Sequence, residues 1–310
     1  MTRFRVSPAW LAILAALVPL CWYGNPAVAL LVGAGLSLVW REPLDVQGTR
    51  WGRLSLQSAI VLLGASLSIG HVVETSAHNL ALVATYVIGV LVLGFTAGRA
   101  LALERESNAL MSAGTAICGG TAIATLAPIL RARPDQVGVA IGIVFLLNAL
   151  ALFTFPSIGH ALGLSQTEFG RWVALAIHDT SSVVATATVY GTEAARVATT
   201  VKLGRTLWLI PLSLGVALAV RQPNARVRVP GFILAFLAAS IASSVLPLPD
   251  WLVHLAARTS KILLVVALFF VGTDIRLDTL GRMRGRVLVH ALALWAAAAT
   301  ATLLAVRAGF

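Results

Sequence analysis

Apolar residues in this chain come in long runs, separated by short polar connections that carry most of its arginines. A membrane-spanning helix needs about 20 mostly apolar residues. Nine runs read as spans on that measure: 8–24, 26–40, 54–73, 80–103, 137–158, 197–220, 229–246, 252–274 and 287–306. The first follows Arg3 and Arg5 and has the length of a signal peptide. No small-x-small cleavage site follows it, and the chain turns straight into another apolar run, so it is read as a helix. Two further stretches, 107–130 and 170–191, are apolar enough to enter a bilayer. Their centres, Gly-Thr-Ala-Ile-Cys-Gly-Gly-Thr and Ile-His-Asp-Thr-Ser-Ser, suit a continuous lipid-facing helix poorly. The pattern predicts an all-α polytopic membrane protein with about nine full transmembrane helices and two broken or re-entrant ones. They form a single transmembrane domain over 1–310.

Arginine placement orients these runs. With a cytoplasmic N-terminus and both odd stretches re-entering, thirteen arginines, Arg41 the first and Arg286 the last, collect in inner loops. The outer loops keep Arg171, Arg196 and Arg258 at helix edges and are dominated by His71, Glu74, His78, Glu168, Glu193 and Asp250. Full crossing of both odd stretches would move only Arg131 and Arg133 outside, so charge favours re-entry. Displacing the chain by about 61 residues lays 118–125 (CGGTAIAT) on 179–186 (DTSSVVAT), each followed by an apolar helix. One broken element would then enter from each side, the relation of an inverted-topology transporter repeat.

Composition agrees. Charged residues make up 11% of the chain, against about 25% in a soluble domain, and hydrophobic ones 58%. The net charge of +11 is spread over short loops without a basic helix or an aromatic-interleaved patch, which argues against nucleic acid and for the positive-inside rule. Cys21 and Cys118 lie in different apolar segments, leaving no disulfide framework and no CxxC metal site. HExxH, GxSxG, GxxxxGK[ST] and paired membrane aspartates are absent, so the sequence points to neither an enzyme nor an ATP-driven pump, and to no cofactor or metal.

Ionisable groups at membrane depth each cost about 2.5 to 3.5 kcal/mol and need a partner, water or a function. Here they cluster: His178 and Asp179 in the second break, Lys202 and Arg205 on one face of the next helix. With His178 neutral, Asp179, Lys202 and Arg205 leave one positive charge uncompensated, which an anionic ligand would complete. A helix N-terminus at Thr180, Ser181 and Ser182 would add N–H groups, dipole and hydroxyls. The first break supplies Thr115, Gly119, Gly120 and Thr121, small enough for close backbone approach. A structural reading stands beside this one: Asp179 pairs with Lys202 or Arg205 to hold helices together, and His178 is an interhelical donor. Composition favours function. Lys202 and Lys261 are the only lysines beside 21 arginines, and both fall in apolar segments. Lys261 and Arg258 read as snorkelling residues, Asp274 as a helix end and Cys118 as packing. Asn108 and Asn148 are further candidates; Asn148, mid-helix, reads as an interhelical hydrogen-bonder, with lining of the solute path as the alternative.

The segments 114–124 (GTAICGGTAIA), 176–184 (AIHDTSSVV) and 201–207 (VKLGRTL) together resemble the bacterial YeiH-type family, whose members carry the label of sulfate exporters. The resemblance covers most of the chain from about Pro26. It implies a bacterial inner-membrane protein related to the cation/proton antiporters and bile-acid-type symporters, with inverted repeats and broken helices crossing near mid-membrane. It implies no proven substrate. The segment 268–274 (LFFVGTD) is bulkier than the family's small-residue pattern, so no ligand role is carried onto it.

Three expectations follow. In the first, a secondary transporter holds a small anion, such as sulfate or an organosulfonate, at Lys202, Arg205, the 180–182 helix end and the first break, with His178 and Asp179 binding a coupling proton or sodium. In the second, Asp179 is the cation site of a sodium/proton-type exchanger. In the third, the buried charges are structural in a non-transporting scaffold or sensor. The expected surroundings are the lipid bilayer, with a homodimer admitted.

Overall fold

The computed structural model describes residues 8–24, 26–40, 46–65, 69–220, 231–246, 249–273 and 285–309. Their regular structure is entirely helical. In order the helices are α1 (Pro8–Tyr23), α2 (Pro26–Trp40), α3 (Val46–Gly64), α4 (Ile69–His78), α5 (Leu80–Ala100), α6 (Arg105–Ala116), α7 (Gly120–Leu130) and α8 (Pro134–Ala161). There follow α9 (Gln166–Ala176), α10 (Thr180–Tyr190), α11 (Thr192–Leu207), α12 (Leu209–Ala219), α13 (Gly231–Val245), α14 (Asp250–Thr273) and α15 (Arg286–Arg307). Five stretches are long and apolar enough to cross a membrane: Leu80–Ala100, Pro134–Ala161, Thr192–Ala219, Trp251–Phe270 and Arg286–Arg307.

Two runs expected to be single helices are divided. The run 54–73 falls in α3, which starts as early as Val46, and in the separate α4. At Gly64 a Cβ would lie 2.6 Å from the Phe236 carbonyl oxygen, so α3 ends where another backbone presses on it. The run 197–220 is divided at Trp208 between α11 and α12. Pro211 has no N–H to return to Leu207, and the Trp208 N–H instead bonds the Arg205 carbonyl at 3.1 Å, a tighter turn.

The chain gathers into two compact units, Met1–Ile69 with Leu234–Leu277 and Gly70–Ile233 with Asp278–Phe310. In the first, α14 packs on α2 and α3 through glycines. A Cβ at Gly33 would come within 2.1 Å of the Phe269 oxygen, and one at Gly52 within 2.6 Å of Phe270 Cβ. Ser260 Oγ donates to the Ala59 carbonyl at 2.8 Å. Small residues let helices approach where lipid supplies no hydrophobic drive for association.

The second unit is organised around α8, whose 28 residues span about 42 Å. At its start, Arg133 pairs with Glu104, the residue preceding α6, at 2.9 Å. Gln136 donates to the same carboxylate. The beginning of α6 therefore lies beside the end of α7, and the pair doubles back as a hairpin. At the far end of α8 the same occurs with α9 and α10. Gln166 Oε1, at the start of α9, accepts the Glu193 and Ala194 N–H groups just beyond α10, at 2.9 and 3.3 Å. Tyr190 donates to the Leu164 carbonyl. The two hairpins thus rise from opposite ends of α8. Their tips, 117–119 and 177–179, are three residues each, and they meet: a Cβ at Gly119 would lie 3.0 Å from His178 Cβ.

Candidate functional site

A helix that stops inside a protein leaves its last carbonyls without N–H partners, and in a membrane water cannot replace them. Here two helices, α6 and α9, stop at the same place, and their exposed acceptors can be followed one by one. In α6, Gly114 O takes the Gly119 N–H at 2.9 Å. Thr115 O takes the Tyr86 hydroxyl at 3.2 Å and Arg205 Nη2. Ala116 O takes Arg205 Nε at 2.8 Å, and Ile117 O takes Lys202 Nζ at 3.2 Å. In α9, Ala174 O and Leu175 O take Arg205 Nη1 at 2.9 and 2.7 Å. Ala176 O takes the Trp295 indole at 3.0 Å. Ile177 O takes Lys202 Nζ at 2.8 Å and Arg205 Nη1 at 3.3 Å.

Lys202 and Arg205 are both 0% exposed, and both bridge the two tips. Arg205 also lies over the Tyr86 ring, its Cζ 4.5 Å from the centroid, and donates to the Tyr86 hydroxyl at 3.3 Å. The position on α11 explains this reach. α11 leaves the base of the second hairpin alongside α9, and Lys202 lies ten residues, about 15 Å, along it, level with the end of α9.

The pairing of Asp179 with Lys202 or Arg205, one of the readings open in the sequence, is not what the structure shows. The ion pairs of the described residues include Arg133 with Glu104 and Asp135, and Arg196 with Glu193, and none joins Asp179 to either cation. The orphan carbonyls take the two cations, and Asp179 instead caps α10, accepting the Ser181 N–H at 2.9 Å. Asp179 and Ser181 are half-buried, Thr180 and Ser182 buried, Gly120 half-buried and Thr121 exposed. Gly119 has φ +54° and precedes α7 without a side-chain cap. His178 is buried, its Nε2 3.3 Å from Thr115 Oγ1 and its N–H on Asn148 Oδ1 at 3.2 Å.

All eleven candidate residues therefore lie on the two tips, the helix ends beside them or the facing stretch of α11. Lys261 and Arg258 are exposed on α14 in the other unit, and Asp274 lies outside the described residues. Asn108 joins α6 to α5 by donating to the Phe95 carbonyl at 3.1 Å, and Cys118 is buried at a tip. Sequence reasoning missed Tyr86 and Trp295. Each carries a polar tip inside an apolar run, which in a membrane calls for a partner, and that was the available signal.

The chain matches, over residues 8–291, the family model described as conserved hypothetical protein 698. It is 38% identical to a UPF0324 membrane protein of Geobacter sulfurreducens, over 95% of this chain and 94% of that one. With a UPF0324 membrane protein of Porphyromonas gingivalis it shares 42%, over 87% and 83%. With one of Vibrio parahaemolyticus it shares 37%, over 96% of both. No solved structure matches it.

Proposed function

Because this chain belongs to the UPF0324 family of membrane proteins, we propose that it is a multi-pass secondary transporter of the bacterial inner membrane that carries a small anion such as sulfate or an organosulfonate. The observation that carries this reading is the meeting of two opposed hairpin tips around two fully buried cations that have no ion-pair partner among the described residues. Lys202 and Arg205 contribute about +2 and Asp179 about −1. The carboxyl ends of α6 and α9 supply about −0.5 each and the amino ends of α7 and α10 about +0.5 each. About one positive charge remains, and an anion neutralises it. The cations are held by carbonyls, so they act on the anion chiefly through their field. Thr115, Gly119, Gly120 and Thr121 on one side and Thr180, Ser181 and Ser182 on the other supply hydroxyls, close approach and helix N–H groups. Nine spans and an inverted repeat of the two hairpins complete the reading, with Asp179 and His178 taking the coupling proton or sodium.

Thermal unfolding of the purified protein in detergent, with sulfate, sulfite, thiosulfate, taurine, sulfoacetate and small carboxylates, tests it. One anion should raise the midpoint in a saturable way, and Ser181→Ala with Thr121→Ala should weaken that response by about tenfold while leaving the unliganded midpoint within a few degrees. No response to any anion would sink the proposal.

A second reading draws on Asp179 itself, whose half-buried carboxylate has no cationic partner among the described residues. There it is the cation site of a sodium/proton-type exchanger. Asp179→Asn separates the two in proteoliposomes. A cation exchanger loses all flux, whereas an anion carrier keeps anion binding and loses only its dependence on the coupling ion.

A further inference from the structure

Asn148 of α8 and His178 of the second tip carry buried polar atoms with no partner among the described residues: Nδ2 of Asn148, 2% exposed, and Nδ1 of His178, 1% exposed. The Asn148 amide cannot be turned to relieve this, because its oxygen receives the His178 N–H and a backbone N–H accepts no substitute for an acceptor. Its NH2 therefore presents two hydrogens to no acceptor among the described residues. The His178 ring is settled by Thr115, whose buried hydroxyl has Nε2 as its one side-chain partner among the described residues. If Nε2 carried the proton, the Thr115 hydroxyl hydrogen and the Nδ1 lone pair would both go unmatched. If Thr115 donates to Nε2, its one hydrogen orients the ring, so that it serves the anion through His178, and only one group is left over, the Nδ1–H. The second arrangement leaves fewer buried groups unmet. Lys202 adds a fourth hydrogen, since its Nζ has three and two carbonyls take two of them.

Two hydrogens from Asn148, one from His178 and one from Lys202 thus stand at the junction of the tips. Asp179 gives one oxygen to the Ser181 N–H, and the transport reading assigns its carboxylate to the coupling ion. The geometry points to Asn148 and His178 as the recognition pair of the anion site, selecting an oxyanion that carries no proton of its own, the sulfate or sulfonate class, over one that does. An anion with an O–H, such as monohydrogen phosphate, would set its own donor against these donors, and a site built of buried N–H groups rejects that mismatch strongly. This deepens the transport reading above and rests on it. It places the hydrogen bonds to the anion on the Asn148 amide and the His178 imidazole and leaves Arg205, whose five N–H donors are all engaged by carbonyls and the Tyr86 hydroxyl, to act through its charge and by holding the tips.

The test titrates the full-length protein in detergent at about pH 8 with sodium sulfate and, at matched ionic strength, with disodium hydrogen phosphate, reading the concentration that gives half of the maximal thermal stabilisation. Sulfate should act at concentrations at least about tenfold lower than hydrogen phosphate. Asn148→Asp keeps an oxygen for the His178 N–H and removes the two hydrogens, so it should weaken sulfate by about tenfold or more. His178→Asn retains a donor near the Nδ1 position and should stay within about threefold of the wild type, whereas His178→Leu should lose tenfold. Equal affinity of folded Asn148→Asp and wild type for sulfate, or equal preference of the wild type for the two anions, overturns the inference while the transporter reading stands. Should Asn148→Asp fail to fold, the sulfate-to-phosphate ratio of the wild type and the His178 pair decide. A wild type indifferent to both anions removes the inference, and indifference across the wider anion panel removes the transporter reading with it.

Discussion

Arg205 shows how much a single side chain can hold in a membrane. Its planar fork engages carbonyls of both α6 and α9, so removing it strands acceptors that neither water nor lipid can reach. Arg205→Ala should cost about 3–5 kcal/mol, the range for breaking a buried charged network. Arg205→Lys should recover only part of this, because an ammonium has three donors and no planar fork. Unfolding midpoints in detergent check both. A second residue-scale prediction lies outside the membrane-spanning segments. Glu168 closes the start of α9, accepting the Ser165 hydroxyl and N–H at 2.6 and 2.7 Å, and these bonds hold its carboxyl below the usual glutamate range. A depressed folded-state pKa stabilises at neutral pH and loses that contribution as pH falls through the ordinary value of about 4.3 towards the depressed one. The wild type should therefore lose more of its midpoint than Glu168→Gln between about pH 5 and pH 3.

Among the helices, glycine placement decides which can touch. Gly98 of α5 faces Asn108 of α6 so closely that a Cβ would lie 2.2 Å from the amide oxygen, and Gly94 would meet Ser112 Oγ at 2.5 Å. Gly98→Ala should destabilise by about 1–3 kcal/mol through overpacking. Gly119→Ala should cost at least as much, since it adds the strain of a positive φ to a contact 2.9 Å from Val144 Cγ1. Thermal unfolding in detergent measures each. The breaks themselves were legible, because Cys-Gly-Gly-Thr and His-Asp-Thr-Ser suit no lipid-facing helix, and Lys202 stood out in a chain that otherwise chooses arginine. The register was less so. Matching letters sets Cys118 on Asp179, a displacement of 61, whereas the helices end at Ala116 and Ala176 and resume at Gly120 and Thr180, a displacement of 60. Letters align the hydroxyls of Thr121 and Ser182, while the backbone aligns both the helix stops and the helix starts. The partners of Lys202 and Arg205 were hidden for a related reason. They are main-chain carbonyls, which every residue has, so no residue type marks them.

At the scale of the whole molecule, the contacts at the ends of α8 govern topology. Glu104 and Arg133 touch at one end, Gln166 and the start of α11 at the other, so each hairpin should begin and end on one side of the membrane. In a background without Cys21 and Cys118, single cysteines at Ala132 and Gly163 should react with an impermeant maleimide from opposite faces. One at Leu103 should share the face of Ala132. Labelling of Leu103 and Ala132 from opposite faces would refute re-entry.

The double attachment of Lys202 and Arg205 constrains motion as well as shape. Pulling the tips apart would strip both buried cations of acceptors together, so the junction behaves as a rivet and not as a pair of gates. If the junction carries an anion as proposed, access to it would alternate by moving the joined tips as one rigid cargo hold, with the barrier to water shifting around it.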